Sequence, residues 1–418
     1  MKFQAIRGVK DILPGGVEAF QRLEATAREV FESFGFSEIR IPVFEATALF
    51  ARGIGASTDI VEKEMYTFAD RDGKKLTLRP EGTASVVRAY IEHRLGIQKP
   101  VSKLYYMGPM FRHERPQAGR FRQFYQVGVE AIGTDSPDLD IEILAMLVEV
   151  LSNAGVTEGR LEINSLGDAA CRPPYRKALK AYLKSHLTQL CQDCQRRFET
   201  NPMRILDCKK EGCRKVTADA PSSLDHLCGD CLAHFQKVKD GLNLLKISYT
   251  VNDRMVRGLD YYTRTAFEVT AEGLGSQNAI AAGGRYDGLV KELGGPSSPG
   301  IGFAMGVERI AQLMPKIPRK GLDLFFAILG DGARRQMLPL LFVLREHGIT
   351  VEQDYSGGGL KKQMGQANKL GARFTLIVGD NELQSGRVVL RNMETKEQQE
   401  VPIAELPGGL EAILKPRT

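Results

Sequence analysis

Two strand patterns that follow each other directly along the chain constrain its fold more than any other feature. Residues 103–112 read KLYYMGPMFR and residues 121–133 read FRQFYQVGVEAIG, with the polar segment HERPQAG between them. Parallel neighbours need a crossover connection of a dozen or more residues, so strands joined this directly pair as antiparallel neighbours. The sequence therefore predicts an antiparallel sheet, and the connecting loop is longer than a hairpin needs, which is typical of functional loops.

The second strand places polar and apolar side chains on opposite faces. Side chains alternate along a strand, so every second residue shares a face. One face holds Phe124, Gln126, Gly128 and Glu130. This row of an aromatic ring, an amide, a glycine without a side chain and a carboxylate suits the floor of a ligand site. The alternative is an ordinary solvated face. On the preceding strand, Arg112 falls on the face of Tyr106 at the root of the loop.

The length of 418 residues favours two or three domains, and the chain divides into three segments that differ in residue pattern and composition. A stretch of mixed helix and strand patterns is interrupted at about 170–245 by a helical, lysine-rich segment that holds every cysteine, and then returns. We expect one α+β domain over residues 1–320 with a helical insertion. After the basic linker MPKIPRKG, residues 322–418 form a βαβαβ pattern, which predicts a parallel sheet covered by helices.

Charge and hydropathy narrow the class of protein. The net charge of +6 slightly favours the binding of polyanions, but it is well below the charge of a dedicated nucleic-acid-binding domain. The beginning, MKFQAIRGVKDILPGG, lacks the apolar run of a signal peptide, and no stretch suits a membrane span. We expect a soluble, cytoplasmic protein with no membrane partner. Neither a GxxxxGK[ST] loop nor a GxGxxG fingerprint is present, so those two routes to nucleotide binding are absent.

Further candidate residues lie in four short segments. TLRPEGT places Glu81 and Thr83 at a strand-to-helix turn, and VRGLDYYTRTAFEV leads into a strand. In AAGGRYDGL, the glycine pair at 283–284 would permit close backbone approach to a ligand. GIGFAMGVERIAQL predicts a helix with Arg309 off its apolar stripe. The structural alternatives are an N-cap role for Thr83 and strand packing for the two tyrosines of LDYY.

These segments carry a resemblance to a known family. RIPVFE, FRHERPQAGRFRQFYQVGVE and GIGFAMGVERI resemble motifs 1, 2 and 3 of the class II aminoacyl-tRNA synthetases. RGLDYYTRT and GGRYDGL, supported by TLRPEGT, resemble segments of the histidyl-tRNA synthetases, and the likeness spans nearly the whole chain. It implies an α+β class II catalytic domain with an antiparallel sheet, a helical insertion and a C-terminal α/β anticodon-binding domain. The implied reaction joins L-histidine to ATP, releases pyrophosphate and passes histidine to the 3′ end of tRNA(His).

The resemblance assigns roles at the reacting centre. Two anions must approach each other, so fixed cations are required. Arg112 and Arg257 match the catalytic positions, and Arg309 matches the position that holds the far phosphates of ATP together with Mg²⁺. Glu114 and Phe124 match positions that meet adenine, one by hydrogen bonding and one by stacking.

Histidine binding by resemblance involves nine residues, which are Glu81, Gly82, Thr83, Arg112, Gln126, Glu130, Arg257, Tyr261 and Tyr262. Glu81, Thr83 and Gln126 would accept hydrogen bonds from the ammonium group. Glu130 and Tyr262 would meet the ring nitrogens, which distinguish imidazole from other side chains. Tyr261 would form a wall of the same pocket.

Other partners follow from the resemblance. The loop residues Arg115, Gln117 and Arg120 would meet the acceptor end of the tRNA. Lys361 and Lys362 would contact its phosphates, although a lysine pair is more often an ordinary solvated surface. Motif 1 implies a homodimer.

The cysteines suggest a structural metal site in the insertion. Cys191-x-x-Cys194 and Cys228-x-x-Cys231 have the spacing of zinc knuckles, with Cys208 and Cys213 between them. The first four are the predicted zinc ligands, and the alternative is a set of reduced, buried cysteines. The resemblance does not require a metal here.

Two rival interpretations remain. One is a non-catalytic relative, the synthetase-like regulatory subunit of ATP phosphoribosyltransferase, which is expected to lose the RGLDYY segment, the motif arginines or the terminal domain. The other is a class II synthetase for a different amino acid. The retained segments disfavour the first, and the set of Glu130, Arg257 and Tyr262 disfavours the second.

Overall fold

The structure, a computed structural model, describes residues 3–55, 58, 60–116, 119–274, 278–317 and 321–414. The chain divides into two compact units, Met1–Ile317 and Pro318–Thr418. Each unit has its own hydrophobic core, so each is described by itself.

The first unit is built around a large, mostly antiparallel sheet. Its eight described strands lie in the spatial order β1-β5-β6-β11-β10-β9-β7-β8. Their bounds, with those of the smaller sheet β2-β4-β3, are β1 Ser37–Glu38, β2 Phe44–Ala46, β3 Thr67–Ala69, β4 Lys75–Leu78, β5 Ser102–Phe111, β6 Gln123–Ile132, β7 Arg160–Ser165, β8 Thr250–Val251, β9 Thr263–Thr270, β10 Ala279–Arg285 and β11 Gly300–Gly306. The predicted antiparallel pair is confirmed, because β5 and β6 pair over their whole length.

Helices cover the sheet and connect its strands. Their bounds in the first unit are α1 Val17–Ser33, α2 Thr47–Ile54, α3 Thr83–Glu92, α4 Leu95–Gln98, α5 Pro137–Asn153, α6 Arg172–Lys184, α7 Gln192–Thr200, α8 Glu211–Thr217, α9 Gly229–Leu244, α10 Leu289–Glu292 and α11 Val307–Leu313. A π-helical turn also spans Ile60–Glu64.

The main core lies on one face of the large sheet. Val127 and Val129 of β6 are fully buried there against α1, α5 and α11. Their strand neighbours on the other face line a cleft. The predicted division of β6 into an apolar face and a polar face is thereby confirmed, and it follows from the packing of only one face against the core.

The inserted segment between β7 and β8 has two structural parts. Helices α6, α7 and α8 pack around a core of their own that includes Leu179, Phe198 and Ile205. Helix α9 instead contributes Phe235 and Val238 to the main core. The predicted helical insertion is confirmed, while its last helix packs as part of the main body.

The second unit has a five-stranded sheet of order β13-β12-β14-β15-β16. Its elements are β12 Leu324–Ile328, α12 Asp331–Glu346, β13 Val351–Gln353, α13 Leu360–Lys369, β14 Phe374–Val378, α14 Asp380–Ser385, β15 Arg387–Asn392, β16 Gln398–Pro402 and α15 Leu406–Leu414. The first three strands are parallel, as the βαβαβ pattern predicts, whereas β15 and β16 extend the sheet in antiparallel fashion. Across the described part of both units, none of the helices combines the length and apolar character needed to cross a membrane.

Candidate active site

A cleft of about 1180 Å³, part of it open to solvent, lies over the polar face of the large sheet. Eleven of the twelve residues predicted to meet histidine or ATP line it, which are Glu81, Thr83, Arg112, Glu114, Phe124, Gln126, Glu130, Arg257, Tyr261, Tyr262 and Arg309. They come from the end of β5 and the loop after it, from β6, from the turn that begins α3, from the segment that leads into β9 and from the start of α11. Residues that lie far apart in the sequence therefore converge on one site.

Glu130 is the most deeply buried acid of the cleft, with 1% of its surface exposed. The hydroxyl of Thr83 donates to its Oε1 at 2.6 Å, and the hydroxyl of Tyr286 donates to its Oε2 at 2.5 Å. Burial raises the pKa of Glu130 to about 8, against the effect of these two hydrogen bonds. A cation or an N–H donor that enters from the cleft would favour the charged form of this carboxyl and lower its pKa again.

Glu81 lies beside Glu130 and is also buried. Its carboxylate accepts hydrogen bonds from the backbone N–H groups of Thr83 at 2.6 Å and Ala84 at 2.9 Å. These N–H groups lie in the first turn of α3 and therefore have no partner within the helix. The helix beginning at Thr83 therefore fixes Glu81 in place. Burial raises the pKa of the Glu81 carboxyl, and the hydrogen bonds oppose that rise.

Two glycines make room for an aromatic ring at the floor of the cleft. A Cβ atom on Gly82 would lie 2.3 Å from Cζ of Tyr106, and one on Gly128 would lie 2.4 Å from the same atom. Gly82 therefore leaves space for the ring of Tyr106, and it does not itself line the cleft. On the same strand face, the buried Oε1 of Gln126 has no hydrogen-bond partner among the described residues, as expected of an acceptor reserved for a ligand.

The RGLDYY segment supplies the opposite wall. The rings of Tyr261 and Tyr262 lie 4.7 Å apart, and each residue is 7% exposed. Arg257 lies over the ring of Tyr262, with 5.5 Å to the ring centre, and its Nη1 donates to Glu268 at 2.7 Å. Glu268 therefore holds the guanidinium in the cleft.

Arg112 and its neighbours occupy the end of the cleft where motif 2 begins. Its Nε donates to the carbonyl of Pro80 at 2.8 Å, and its guanidinium lies 5.3 Å from the ring centre of Phe124. Glu114 contacts Arg120 at 3.0 Å and Arg112 at 3.9 Å. The aromatic face of Phe124 and the carboxylate of Glu114 thus lie beside fixed cations.

Arg309 projects from α11 into the cleft, as its place off the apolar stripe predicts. Its guanidinium donates to the backbone carbonyls of Gly119 and Ala279. Burial lowers the pKa of Arg309, and the nearby charges of Arg120 and Arg112 lower it further. An anion bound among these three guanidinium groups would relieve their mutual repulsion.

Tyr286 of the segment GGRYDGL also lines the cleft, although it is not among the residues predicted from the sequence. Its neighbour Arg285 is fully buried and pairs with Asp140 of α5 and, at 3.1 Å, with Asp287. Asp140 also contacts His234 of α9 at 2.8 Å. This buried network fixes β10, so that Tyr286 reaches Glu130. Strand alternation, applied to GGRYDGL, would have placed Arg285 and Tyr286 on opposite faces.

The glycine pair of the same segment has a different role from the one predicted. A Cβ atom on Gly283 would lie 2.3 Å from the carbonyl oxygen of Gly302, and one on Gly284 would lie 2.7 Å from the carbonyl of Thr265. The backbone that approaches these glycines belongs to β11 and β9. The two glycines thus allow close packing of neighbouring strands, and neither of them lines the cleft.

The loop residues predicted to meet tRNA differ in placement. Arg120 lines the cleft, and Arg115 is exposed. Gln117 lies outside the described residues. Lys361 and Lys362 are exposed at the start of α13 in the second unit.

The cysteines form two clusters, and this corrects the predicted zinc site. In each cluster the candidate ligand atoms all lie within 4.8 Å of one another. The insertion cluster contains Cys191, Cys194, Cys208 and Cys213. The neck cluster, where the insertion joins the sheet, contains Asp168, Cys171, Cys228 and Cys231.

The prediction that Cys191, Cys194, Cys228 and Cys231 share one site is wrong. Cys194 is buried in the core formed by α6, α7 and α8, whereas Cys231 lies at the start of α9. The two knuckles therefore belong to different structural parts, and each finds its partners locally.

Comparison with known proteins gives a consistent result. The family described as histidyl-tRNA synthetase matches residues 8–310, and the anticodon binding domain family matches residues 330–413. The histidine–tRNA ligase of Syntrophotalea carbinolica is 54% identical over 99% of both chains. That of Geobacter sulfurreducens is 55% identical over 95% of this chain and 97% of its own. The crystal structure of the apo histidyl-tRNA synthetase of S. aureus, 39% identical, superposes with a TM-score of 0.82 over 99% of this chain and 100% of that one.

These matches extend over both structural units and include the segments that line the cleft. The fold is accordingly an α+β class II synthetase catalytic domain with an antiparallel sheet, a helical insertion and a C-terminal α/β anticodon-binding domain. The chain belongs to the histidyl-tRNA synthetase family.

Proposed function

We propose that this chain is an ATP-dependent class II ligase that activates L-histidine to histidyl-adenylate and then transfers histidine to the 3′ end of tRNA(His). The observation that carries the proposal is that one cleft holds both a buried acid and several cations. Glu130 lines this cleft together with the guanidinium groups of Arg112, Arg257 and Arg309. A small ligand with an N–H-bearing ring and a polyphosphate would find complementary groups side by side.

In the first step, a carboxylate oxygen of histidine attacks the α-phosphorus of ATP. A new O–P bond forms, and the bond from the α-phosphorus to the bridging oxygen breaks, so that pyrophosphate leaves. Arg112 and Arg257 would offset the charge of the two approaching anions. Glu268 holds Arg257 at 2.7 Å, so this cation is fixed before the substrates arrive.

ATP would lie along the motif 2 end of the cleft. The ring of Phe124 offers a stacking surface for adenine, and Glu114 offers an acceptor for its amino group. Arg309 would contact the far phosphates. Mg²⁺ takes oxygen ligands, commonly one or two carboxylates together with substrate phosphates. The carboxylate of Glu268 lines this cleft and would hold the ion, which neutralises phosphate charge when bound.

Selection of histidine would depend on the buried end of the cleft. Glu130 would accept a hydrogen bond from the imidazole N–H, and Tyr262 would meet the other ring nitrogen. Glu81, Thr83 and Gln126 would accept the ammonium group, with Tyr261 as a wall. An amino acid without ring nitrogens would leave Glu130 buried and short of a partner, which is a strong basis for rejection.

We assign residues 1–320 to the catalytic domain, interrupted at about 170–245, and residues 322–418 to anticodon binding. In the second step, the terminal ribose hydroxyl of the tRNA attacks the histidyl carbonyl, and AMP leaves. Arg115 and Arg120 belong to the loop that would meet the acceptor end, and Lys361 and Lys362 would contact phosphates. The location of these substrates implies that the chain acts in the cytoplasm.

We also propose that the chain forms a homodimer through the motif 1 region. Val43 and Phe44 lie in this region and are 40% and 51% exposed. The ring of Phe44 lies 6.3 Å from that of Phe68, which is 45% exposed. Neighbouring exposed apolar side chains are typical of a surface that another chain covers. Sedimentation equilibrium should return the mass of two chains, and the mass of one chain at micromolar concentration would contradict this proposal.

The insertion cluster would hold a structural zinc ion. Zn–S bonds of about 2.3 Å in a tetrahedron separate the sulfurs by about 3.8 Å. The Sγ atoms of Cys191 and Cys208 lie 3.9 Å apart, and the backbone N–H of Cys191 donates to Sγ of Cys213 at 3.2 Å. The spacings Cys191-x2-Cys194 and Cys208-x4-Cys213 are those of structural zinc sites. This ligand set replaces the predicted one.

The direct test is tRNA charging. The purified chain, incubated with ATP, Mg²⁺ and tRNA(His), should transfer labelled histidine to the tRNA. The same protein should transfer no other amino acid to any tRNA at a comparable rate. A folded chain that charges no tRNA with histidine would contradict the proposal and favour the non-catalytic alternative.

A further inference from the structure

The neck cluster lies where the insertion joins the large sheet. Asp168 and Cys171 follow β7 on the way into the insertion, and Cys228 and Cys231 lie at the start of α9 on the way out. Two stretches separated by more than fifty residues in sequence thus meet at one point. Cys171 and Cys231 are 4% and 0% exposed, while Asp168 and Cys228 are partly exposed.

We propose that the neck cluster binds a second structural zinc ion, through three thiolates and one carboxylate. Zinc takes both ligand types in tetrahedral sites. The four candidate ligand atoms lie within 4.8 Å of one another. A closed tetrahedral set of thiolates has its sulfurs about 3.8 Å apart, so small side-chain movements would complete the site. The cluster shares no ligand with the insertion cluster.

The spacing of the ligands supports the proposal. Asp168-x-x-Cys171 and Cys228-x-x-Cys231 are two knuckles of the same length, and this length recurs in structural zinc sites. The chain has seven cysteines, and the two clusters use all of them, four in one and three in the other. The carboxylate of Asp168 stands where an eighth cysteine would complete the set.

The backbone around these residues is arranged to present them. Oδ1 of Asp168 accepts from the N–H of Ala170 at 2.9 Å and from that of Cys171 at 3.2 Å, while Oδ2 faces Sγ of Cys228 at 3.9 Å. The N–H of Cys228 donates to Sγ of Cys171 at 3.0 Å. A Cβ atom on Gly167 would lie 2.4 Å from Cβ of Cys171, so the tight turn requires glycine, and its φ is +63°.

An ion at the neck would also act on the histidine pocket. The N–H of Arg264 donates to the carbonyl of Gly167 at 2.8 Å, and the N–H of Leu166 donates to the carbonyl of Arg264 at 2.8 Å. Arg264 lies in β9, two residues after Tyr262. The neck is therefore hydrogen-bonded to the strand that continues from the RGLDYY segment. Cross-linking both ends of the insertion restricts the unfolded chain and stabilises this junction.

The first experiment uses the unaltered full-length chain, expressed in zinc-supplemented medium and purified without chelator. Elemental analysis should give two zinc ions per chain. Zinc X-ray absorption should give seven sulfur ligands and one oxygen or nitrogen ligand for every two ions. One ion with four sulfur ligands would overturn the proposal, and so would fewer than seven free thiols after denaturation without reductant.

The second experiment assigns each ion to its cluster. Cys228→Ser should retain one zinc ion and lose the oxygen contribution, since only the four-sulfur cluster remains. Cys208→Ser is the matched control in the insertion cluster, and it should retain one ion with three sulfur ligands and one oxygen ligand. Asp168→Cys should retain two ions with eight sulfur ligands. Unchanged zinc content in Cys228→Ser would overturn the proposal, and the measurement on the unaltered chain holds even if that variant does not fold.

Discussion

At the scale of single residues, the histidine pocket is organised around a carboxyl group that water scarcely reaches. Glu130 has two hydroxyl donors, from Thr83 and Tyr286, and leaves one direction open to the cleft. Each partner is itself fixed, Thr83 by the start of α3 and Tyr286 by the buried Arg285 beside it. A preorganised acceptor of this kind discriminates among amino acids at little entropic cost.

Glu130→Gln should weaken histidine binding with a smaller effect on ATP. The amide keeps the size of the side chain but cannot take the negative charge that a bound imidazole N–H favours, so a charge-assisted hydrogen bond is lost. Such a bond contributes about 1.5–3 kcal/mol, or roughly 10- to 100-fold in KM for histidine. The measurement is histidine-dependent pyrophosphate exchange. Glu32→Gln is the matched control, because Glu32 also accepts from a tyrosine hydroxyl, that of Tyr105, away from the cleft. Equal KM values for both variants would contradict the role of Glu130.

The same substitution should change how stability depends on pH. Burial raises the pKa of Glu130 from 4.5 to about 8, so the folded state binds a proton that the unfolded state releases between those values. The contribution of Glu130 is therefore fully present below pH 4.5 and is lost as pH rises through 8. Relative to Glu130→Gln, the unaltered chain should lose several kcal/mol of unfolding free energy from pH 4.5 to 8.5, with about 5 as an upper bound. Urea unfolding at both pH values measures this, and parallel profiles would contradict it.

At the scale of elements, the site depends on how closely β6 and β11 approach. A Cβ atom on Gly302 would lie 2.1 Å from Oε2 of Glu130 and 2.3 Å from the carbonyl oxygen of Val129. Glycine at this position lets the Glu130 side chain lie flat against β11. The same principle admits the Tyr106 ring between Gly82 and Gly128.

Gly302→Ala should therefore damage both stability and the histidine pocket. Overpacking of this kind costs about 1–3 kcal/mol, and displacement of Glu130 should raise KM for histidine. Gly288→Ala is the matched control, since a Cβ there meets no heavy atom within 4 Å and the backbone has φ −91°. Thermal unfolding and pyrophosphate exchange measure both effects. A Gly302→Ala protein as stable and as active as the control would be inconsistent with this packing.

Much of this architecture could be predicted from the sequence, and the failures have physical reasons. Strand alternation correctly placed Gln126 and Glu130 together on β6, because one face of that strand is buried. The spacing of the cysteines along the sequence does not predict that Cys191 and Cys228 belong to different clusters, because this depends on how α7 and α9 pack. Nor does the sequence pattern show that the backbone approaching Gly283 comes from a neighbouring strand.

At the scale of the whole molecule, the proposed function places histidine activation in the first unit and anticodon binding in the second. The residues that line the cleft all belong to Met1–Ile317, and the main core of this unit is complete without the second unit. The second unit has its own core, formed by β12, β14 and the helices α12 and α15. This separation implies that one activity can be removed without the other.

Deletion of residues 322–418 should abolish efficient tRNA charging and largely preserve histidine-dependent pyrophosphate exchange. The catalytic residues stay in place, while the proposed anticodon contacts are lost. Circular dichroism and thermal unfolding should first establish that the shortened chain is folded. Normal charging of tRNA by the shortened chain would show that the terminal unit does not have the proposed role.

The most direct test of the central claim is ATP–pyrophosphate exchange with a panel of amino acids. Exchange should require L-histidine and ATP, and Arg257→Ala should reduce it about 100-fold or more, because a cation at the reacting centre is lost. Arg160→Ala is the matched control, since Arg160 pairs with Glu272 on the surface as Arg257 pairs with Glu268 in the cleft. We predict exchange with histidine alone, intact in Arg160→Ala and nearly absent in Arg257→Ala. Exchange driven by another amino acid, or none with histidine, would contradict the account.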